Sequence, residues 1–230
     1  MVMAVKRLRM QKQIAHFSGD GVQFNVPWYM QTTEFTCGPA ALMMAMGSLS
    51  TQFEPSQLEE LEIWREATTI FMTSGHGGCH PIGLALSAQY RGFNSAVYLS
   101  TSESLFLDGV RSDKKKNIMA LVHEDFVSKA KDCGVALNYE DIKLASLESM
   151  LNDDVRVLAL ISTYRLDGKK APHWVCVTAM DSHSIYVHDP ELATNQVAID
   201  CQHVPIAKTD FEKMSSFGSA RLKAIITLRN

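Results

Sequence analysis

The chain has 230 residues, 46% apolar and 20% charged, which suits one sizeable folded domain and excludes a disordered polymer. Its 22 basic and 25 acidic residues leave a net charge of −3, without the concentrated basic face that a nucleic-acid binder needs. No stretch approaches the ~20 apolar residues of a membrane span, and the basic start (Lys6, Arg7, Arg9, Lys12) lacks the apolar run of a secretory signal. Five scattered cysteines, Cys37, Cys79, Cys133, Cys176 and Cys201, are odd in number, so reduced thiols in a cytoplasm are expected rather than a disulfide framework.

In chain order, residues 1–20 read as a polar arm without period, and 21–230 as a single domain with no repeat, low-complexity tract or linker to split it. Val22–Val26 alternates like a short strand that Pro27 ends. Residues 37–49 predict a helix. Pro55–Phe71 predicts a second, with Leu58, Leu61, Trp64 or Arg65, and Thr68 at helical spacing. A glycine-rich loop, Thr73–His80, leads into a helix over Pro81–Arg91 and a strand over Ser95–Leu99. Lys114–Asp132 predicts a long helix capped by Gly134, its Lys114-Lys115-Lys116 start being a solvated face. The texture then changes to strands at Val155–Ser162, His173–Ala179, Ile185–Asp189, Val197–Ile199 and Leu222–Leu228, with a polar loop over Tyr164–Pro172 and a short helix over Asp210–Ser216. Helices first and a mostly antiparallel sheet later is the α+β pattern.

Cys37 is the most chemically pointed residue. Gly38 permits a sharp turn beside it, Pro39 suits a first helical turn, and Ala40–Met46 are strong helix formers. A sulfur there faces unpaired N–H groups and the positive end of the helix dipole, which stabilise its reactive anionic form. Its plainer use is as a buried cysteine opening a core helix. A thiol nucleophile needs a base, and the base an orienting partner. His173 opens a strand on which Val175, Val177 and Ala179 share its face, and on the next strand Ile185, Val187 and Asp189 share one parity. Pairing Val177 with Val187 sets His173 diagonally past Asp189, an offset of ~7–8 Å that side chains can span or a bulge remove. Taken singly, His173 suits a strand end and Asp189 a turn before Pro190. Gln31, six residues before Cys37, can fold back to offer a side-chain N–H beside that of Cys37 to an oxyanion.

His76, Cys79 and His80 offer an alternative metal site, but zinc usually draws a fourth ligand. A glycine-rich border that lets a substrate backbone approach is the preferred reading of that loop. Cys79 is the rival nucleophile but has neither a helix start nor a paired base, and Cys133, Cys176 and Cys201 read as structural or incidental.

Gln31, Cys37-Gly38, His173-Trp174-Val175 and Asp189-Pro190 together resemble the papain-like cysteine peptidases of family thirty-nine, which cut bacteriocin leader peptides. Residues 32–40, 64–79 and 161–165 resemble more closely a stand-alone bacterial branch of that family without a transporter domain. The resemblance implies a papain-like fold with the cysteine helix on an antiparallel sheet, a peptide or peptide-conjugate substrate and no cofactor. It implies Cys37 as nucleophile, His173 as base, Asp189 as its orienter and Gln31 as oxyanion donor. Thr36 departs from the family, whose leader-cutting members usually carry Asp there. The expected activity is hydrolysis of a peptide or isopeptide bond through an acyl-enzyme. An acyl or amide transferase with the same triad, or a non-catalytic peptide-binding module, are the alternatives.

Overall fold

The computed structural model describes residues 21–71, 76–107, 110–151, 154–162, 172–218 and 221–230. The expected arm at 1–20, the loop residues 73–75 and nearly all of the 164–172 loop lie outside the described residues.

Helix α1, Cys37–Leu49, is built from strong helix formers and is buried on every side from Cys37 to Met46. Such all-round burial marks a central helix, and α1 packs on two strands of the sheet, β4 (Arg156–Ser162) and β5 (Pro172–Met180). Helix α2 spans Gln57–Ala67, opened by the Ser56 hydroxyl accepting the Glu59 N–H at 3.1 Å. It stops four residues before the expected Phe71 because the chain turns to pair Thr68 with Cys79 and Phe71 with His76, antiparallel. The buried face of α2 is Glu60, Ile63 and Ala67, whereas Leu58 is 67% exposed. The expected apolar stripe is therefore rotated away from the true one.

Helix α3, Pro81–Tyr90, joins α2 and packs on β2 (Asn94–Leu99) and β8 (Ala224–Arg229). Helix α4, Asp113–Asp132, is capped by the Ser112 hydroxyl and ends at Gly134, whose φ of +75° suits glycine. Three elements have no counterpart among the predictions: β3 (Ala136–Tyr139), α5 (Leu144–Met150) and β7 (Val204–Ala207). Val197–Ile199 is not a strand. It leads into a 3-10 turn over Ala198–Cys201, and the strand comes later, at β7. Helix α6, Lys208–Met214, packs on β4, β7 and β6 (Ser184–His188).

The sheet runs β3-β2-β8-β4-β5-β6-β7, with β1 (Val22–Gln23) paired to β5. Only the β2–β3 pair is parallel among the described strands. The architecture is thus α+β, with N-terminal helices on a mostly antiparallel sheet. Strands β4 and β5 lie at its centre and are buried along both faces. Val177 pairs with Val187, and a bulge between Val177 and Ala179 shifts the rest of the hairpin, so Ala179 meets Tyr186. The bulge sits toward the hairpin turn and leaves the diagonal offset at the His173 end in place.

Candidate active site

Cys37 is the first residue of α1, and the Thr36 carbonyl already accepts the Ala40 N–H at 3.0 Å. Among the described residues the Cys37 N–H has no backbone or side-chain partner, as the first turn of a helix dictates. Gly38 has no left-handed backbone. Its requirement is space, since a Cβ there would lie 3.0 Å from Cys79 Cβ, 3.1 Å from Leu84 Cδ1 and 3.2 Å from Trp174 Cδ1.

His173, near the start of β5, is 5% exposed and its Nε2 meets Asp189 Oδ1 at 2.8 Å. The pair spans the diagonal offset through side chains. Asp189 follows the last residue of β6, and the same Oδ1 accepts the Glu191 N–H at 2.8 Å, an Asx turn that fixes the carboxylate. With Nε2 committed to Asp189, Nδ1 is the ring nitrogen left for the Cys37 thiol. Burial disfavours the charged ring, but the hydrogen bonds to Asp189 and to Cys37 outweigh it and hold the imidazole well above its usual range. The net effect stabilises an imidazolium between a carboxylate and a sulfur.

Gln31 lies on a strap that approaches this pair. Its Nε2 donates to the Thr33 carbonyl at 2.9 Å, inside the turn leading to Cys37, while its buried Oε1 has no partner. The strap backbone is tied to the Asp189-Pro190 turn: Gln31 N–H donates to the Pro190 carbonyl at 2.9 Å and Trp28 Nε1 to the Asp189 carbonyl at 2.7 Å.

The residues of the alternative metal site diverge. His76 is exposed and packs against Phe35 with ring centroids 4.7 Å apart and the rings tilted by 50°. Cys79 lies in a pocket beside Cys37, and His80 turns inward, its Nε2 3.0 Å from His123 Nδ1. His80 Nδ1 accepts the Ile82 N–H at 3.1 Å, so this histidine is the N-cap of α3. Burial and His123 push its pKa well down. Among the described residues no three His, Cys, Asp or Glu side chains gather to hold a metal ion. Gly77 serves the protein's own backbone rather than a substrate's, since a Cβ there would sit 2.8 Å from Ile70 N. Gly78 does border the pocket, with Thr69, Cys79, Phe106, Leu160, Pro172 and Trp174.

Burial pushes the Cys79 thiol well up, Cys176 to about 12 and Cys201 to about 11, so these sulfurs stay protonated near neutrality. No helix among the described residues is long and apolar enough to cross a membrane.

No curated protein matches the chain at a significant level. Solved structures that resemble it include a double glycine motif protease from an AMS/PCAT transporter in complex with the leader peptide, and a C39-like peptidase from Bacillus anthracis. The first is 13% identical over 90% of this chain and 94% of that one, with a TM-score of 0.44. The second is 13% identical over 92% and 98%, with a TM-score of 0.47. Residues 26–229 match the model of DUF3335, the Peptidase_C39 like family, and the chain belongs to that family.

Proposed function

We propose that the protein is a cysteine peptidase that hydrolyses a peptide or isopeptide bond through a thioester on Cys37. The observation that carries the reading is the 2.8 Å bond from His173 Nε2 to Asp189, which leaves the other ring nitrogen to a thiol at a helix start. His173 takes the proton of Cys37 as the sulfur attacks the carbonyl carbon, and gives it to the leaving amine as the C–N bond breaks. Water then attacks the thioester, with His173 accepting its proton and returning it to the sulfur. Asp189 holds the tautomer and stabilises the imidazolium. The unpaired Cys37 N–H and the second N–H of Gln31 Nε2 stabilise the oxyanion in both steps. Cys79, Phe106, Leu160 and Trp174 give the flanking pocket an apolar wall, which suits an apolar substrate side chain next to the scissile bond.

Iodoacetamide labelling tests the activated pair: Cys37 is expected to react faster than a free thiol, and His173→Ala to remove the advantage. Ordinary reactivity in both proteins would leave a peptide-binding module in place of an enzyme. Mass-spectrometric comparison of cellular peptides in the presence of wild-type and Cys37→Ala protein then identifies the bond that is cut.

A further inference from the structure

A carboxylate that the proposed chemistry never touches lies fully buried on α2. Glu60 is 0% exposed, a position acidic residues rarely take unless paired. Its partners all belong to the strap that carries Gln31. Oε1 accepts the Thr32 N–H at 2.8 Å, while Oε2 accepts the Thr32 hydroxyl at 2.8 Å and the Tyr29 hydroxyl at 3.0 Å. Three donors converge on one acceptor-only group, an arrangement that suits a carboxylate and no neutral side chain of the same size.

The strap therefore has two anchors in alternation. Trp28 and Gln31 bond to the Asp189-Pro190 turn, and Tyr29 and Thr32 bond to Glu60. The Gln31 amide itself makes one side-chain hydrogen bond and leaves Oε1 buried without a partner, so its placement depends on the backbone that carries it. We propose that Glu60 is a positioning residue for the oxyanion site, fixing the Gln31 amide through its hydrogen bonds to Tyr29 and Thr32. This rests on Gln31 acting as an oxyanion donor, as argued above. A donor displaced by ~1 Å loses about 100-fold in rate, because the stabilisation depends on alignment with the developing charge.

The test compares two reactions of the same sulfur. Acylation by p-nitrophenyl acetate forms a thioester at Cys37, releases p-nitrophenolate and passes through a tetrahedral oxyanion. Alkylation by iodoacetamide displaces iodide directly and forms no oxyanion. Glu60→Gln puts an NH2 against one of the strap donors. It is expected to slow acylation about 100-fold while leaving alkylation within about twofold of wild type. In a Gln31→Ala background the same substitution is expected to slow acylation no further, because it acts through the amide already removed. Equal loss in both reactions, additive loss with Gln31→Ala, or unchanged acylation overturns the role. If Glu60→Gln fails to fold, Tyr29→Phe and Thr32→Val each remove one hydroxyl bond, and the same selectivity decides the matter. Wild-type protein that is not acylated at Cys37 overturns the peptidase reading, and this role with it. Acylated wild type with unselective variants overturns the role alone.

Discussion

Asp189 does two separable things to His173, and two substitutions divide them. Its Oδ1 accepts both the imidazole Nε2–H and the Glu191 N–H at 2.8 Å. In Asp189→Asn the amide oxygen accepts from the same two donors, so Glu191 keeps the amide facing the ring and the tautomer survives. Only the charge is lost. A hydrogen bond to a charged group contributes ~1.5–3 kcal/mol and a neutral one ~0.5–1.5, so the difference between their midpoints is about 1.25 kcal/mol, or roughly eightfold in rate. The carboxylate is 24% exposed, shielded enough that solvent does not erase this difference. Asp189→Ala removes the acceptor as well. It strands the N–H of a ring that is 5% exposed, adding ~1–3 kcal/mol, for a total loss of about 50- to 1000-fold. The assay is alkylation of Cys37 by iodoacetamide against pH, followed by intact mass. In wild type the raised imidazolium keeps its proton above the ordinary histidine range, and the rate changes from that of the ion pair to that of a free thiolate as the ring loses it. Asn is expected to move that inflection to lower pH. Asn and Ala proteins with the same rate and the same pH profile would refute the division of labour.

Cys37→Ala is expected to abolish labelling and acylation while changing stability by less than ~1 kcal/mol, since alanine is the best helix former; a large loss in the urea midpoint counts against a purely chemical role. Buried histidines make stability acid-sensitive. His80 is held well below its usual range and His188 at about 3, chiefly by burial, so both stay neutral in the folded state. Their contribution is complete above the unfolded value of ~6.5 and is lost as pH falls below it, by ~1.4 kcal/mol per histidine one pH unit down. His173 has the opposite sign: its contribution is complete below the unfolded value and is lost as pH rises through the raised folded one. Urea unfolding of His173→Ala protein removes the opposing effect and leaves the buried histidines, to which His123 and His203, also lowered by burial, add with the same sign; a flat profile down to one pH unit below ~6.5 sinks it. Gly77→Ala should cost ~1–3 kcal/mol, because its Cβ would meet Ile70 N and C at 2.8 Å while the Thr69 N–H to Gly78 carbonyl bond of 2.9 Å resists separation; an unchanged midpoint contradicts this.

What the sequence made legible is local. The Cys37 helix start, the Gly134 end of α4, and the Val177–Val187 register each rest on signals within a few residues. Edge strands were harder. Ala136–Tyr139 is half-exposed and pairs, among the described strands, only with β2, so it has no clean alternation, and β7 contains Pro205, which reads against a strand except at an edge. Strand β5 is buried on both faces, so alternation alone does not reveal which of its faces carries His173. The rotated face of α2 has a specific cause: Glu60 is buried and Leu58 exposed, the reverse of the periodicity rule. A buried carboxylate is invisible to hydrophobic patterning because its compensation comes from Tyr29 and Thr32, about thirty residues upstream.

The same pair of residues, Asp189 and Pro190, serves both halves of the site by different groups. The Asp189 carboxylate holds the imidazole, while the main-chain carbonyls of Asp189 and Pro190 hold Trp28 and Gln31. Side-chain substitution at Asp189 therefore perturbs the base and leaves the strap bonded. Substitution at Glu60 releases the far side of the strap and leaves the base untouched. That separation is why the acid–base and oxyanion functions should fail independently. In a double variant of Asp189→Asn and Glu60→Gln the losses in acylation should multiply, whereas alkylation should match Asp189→Asn alone.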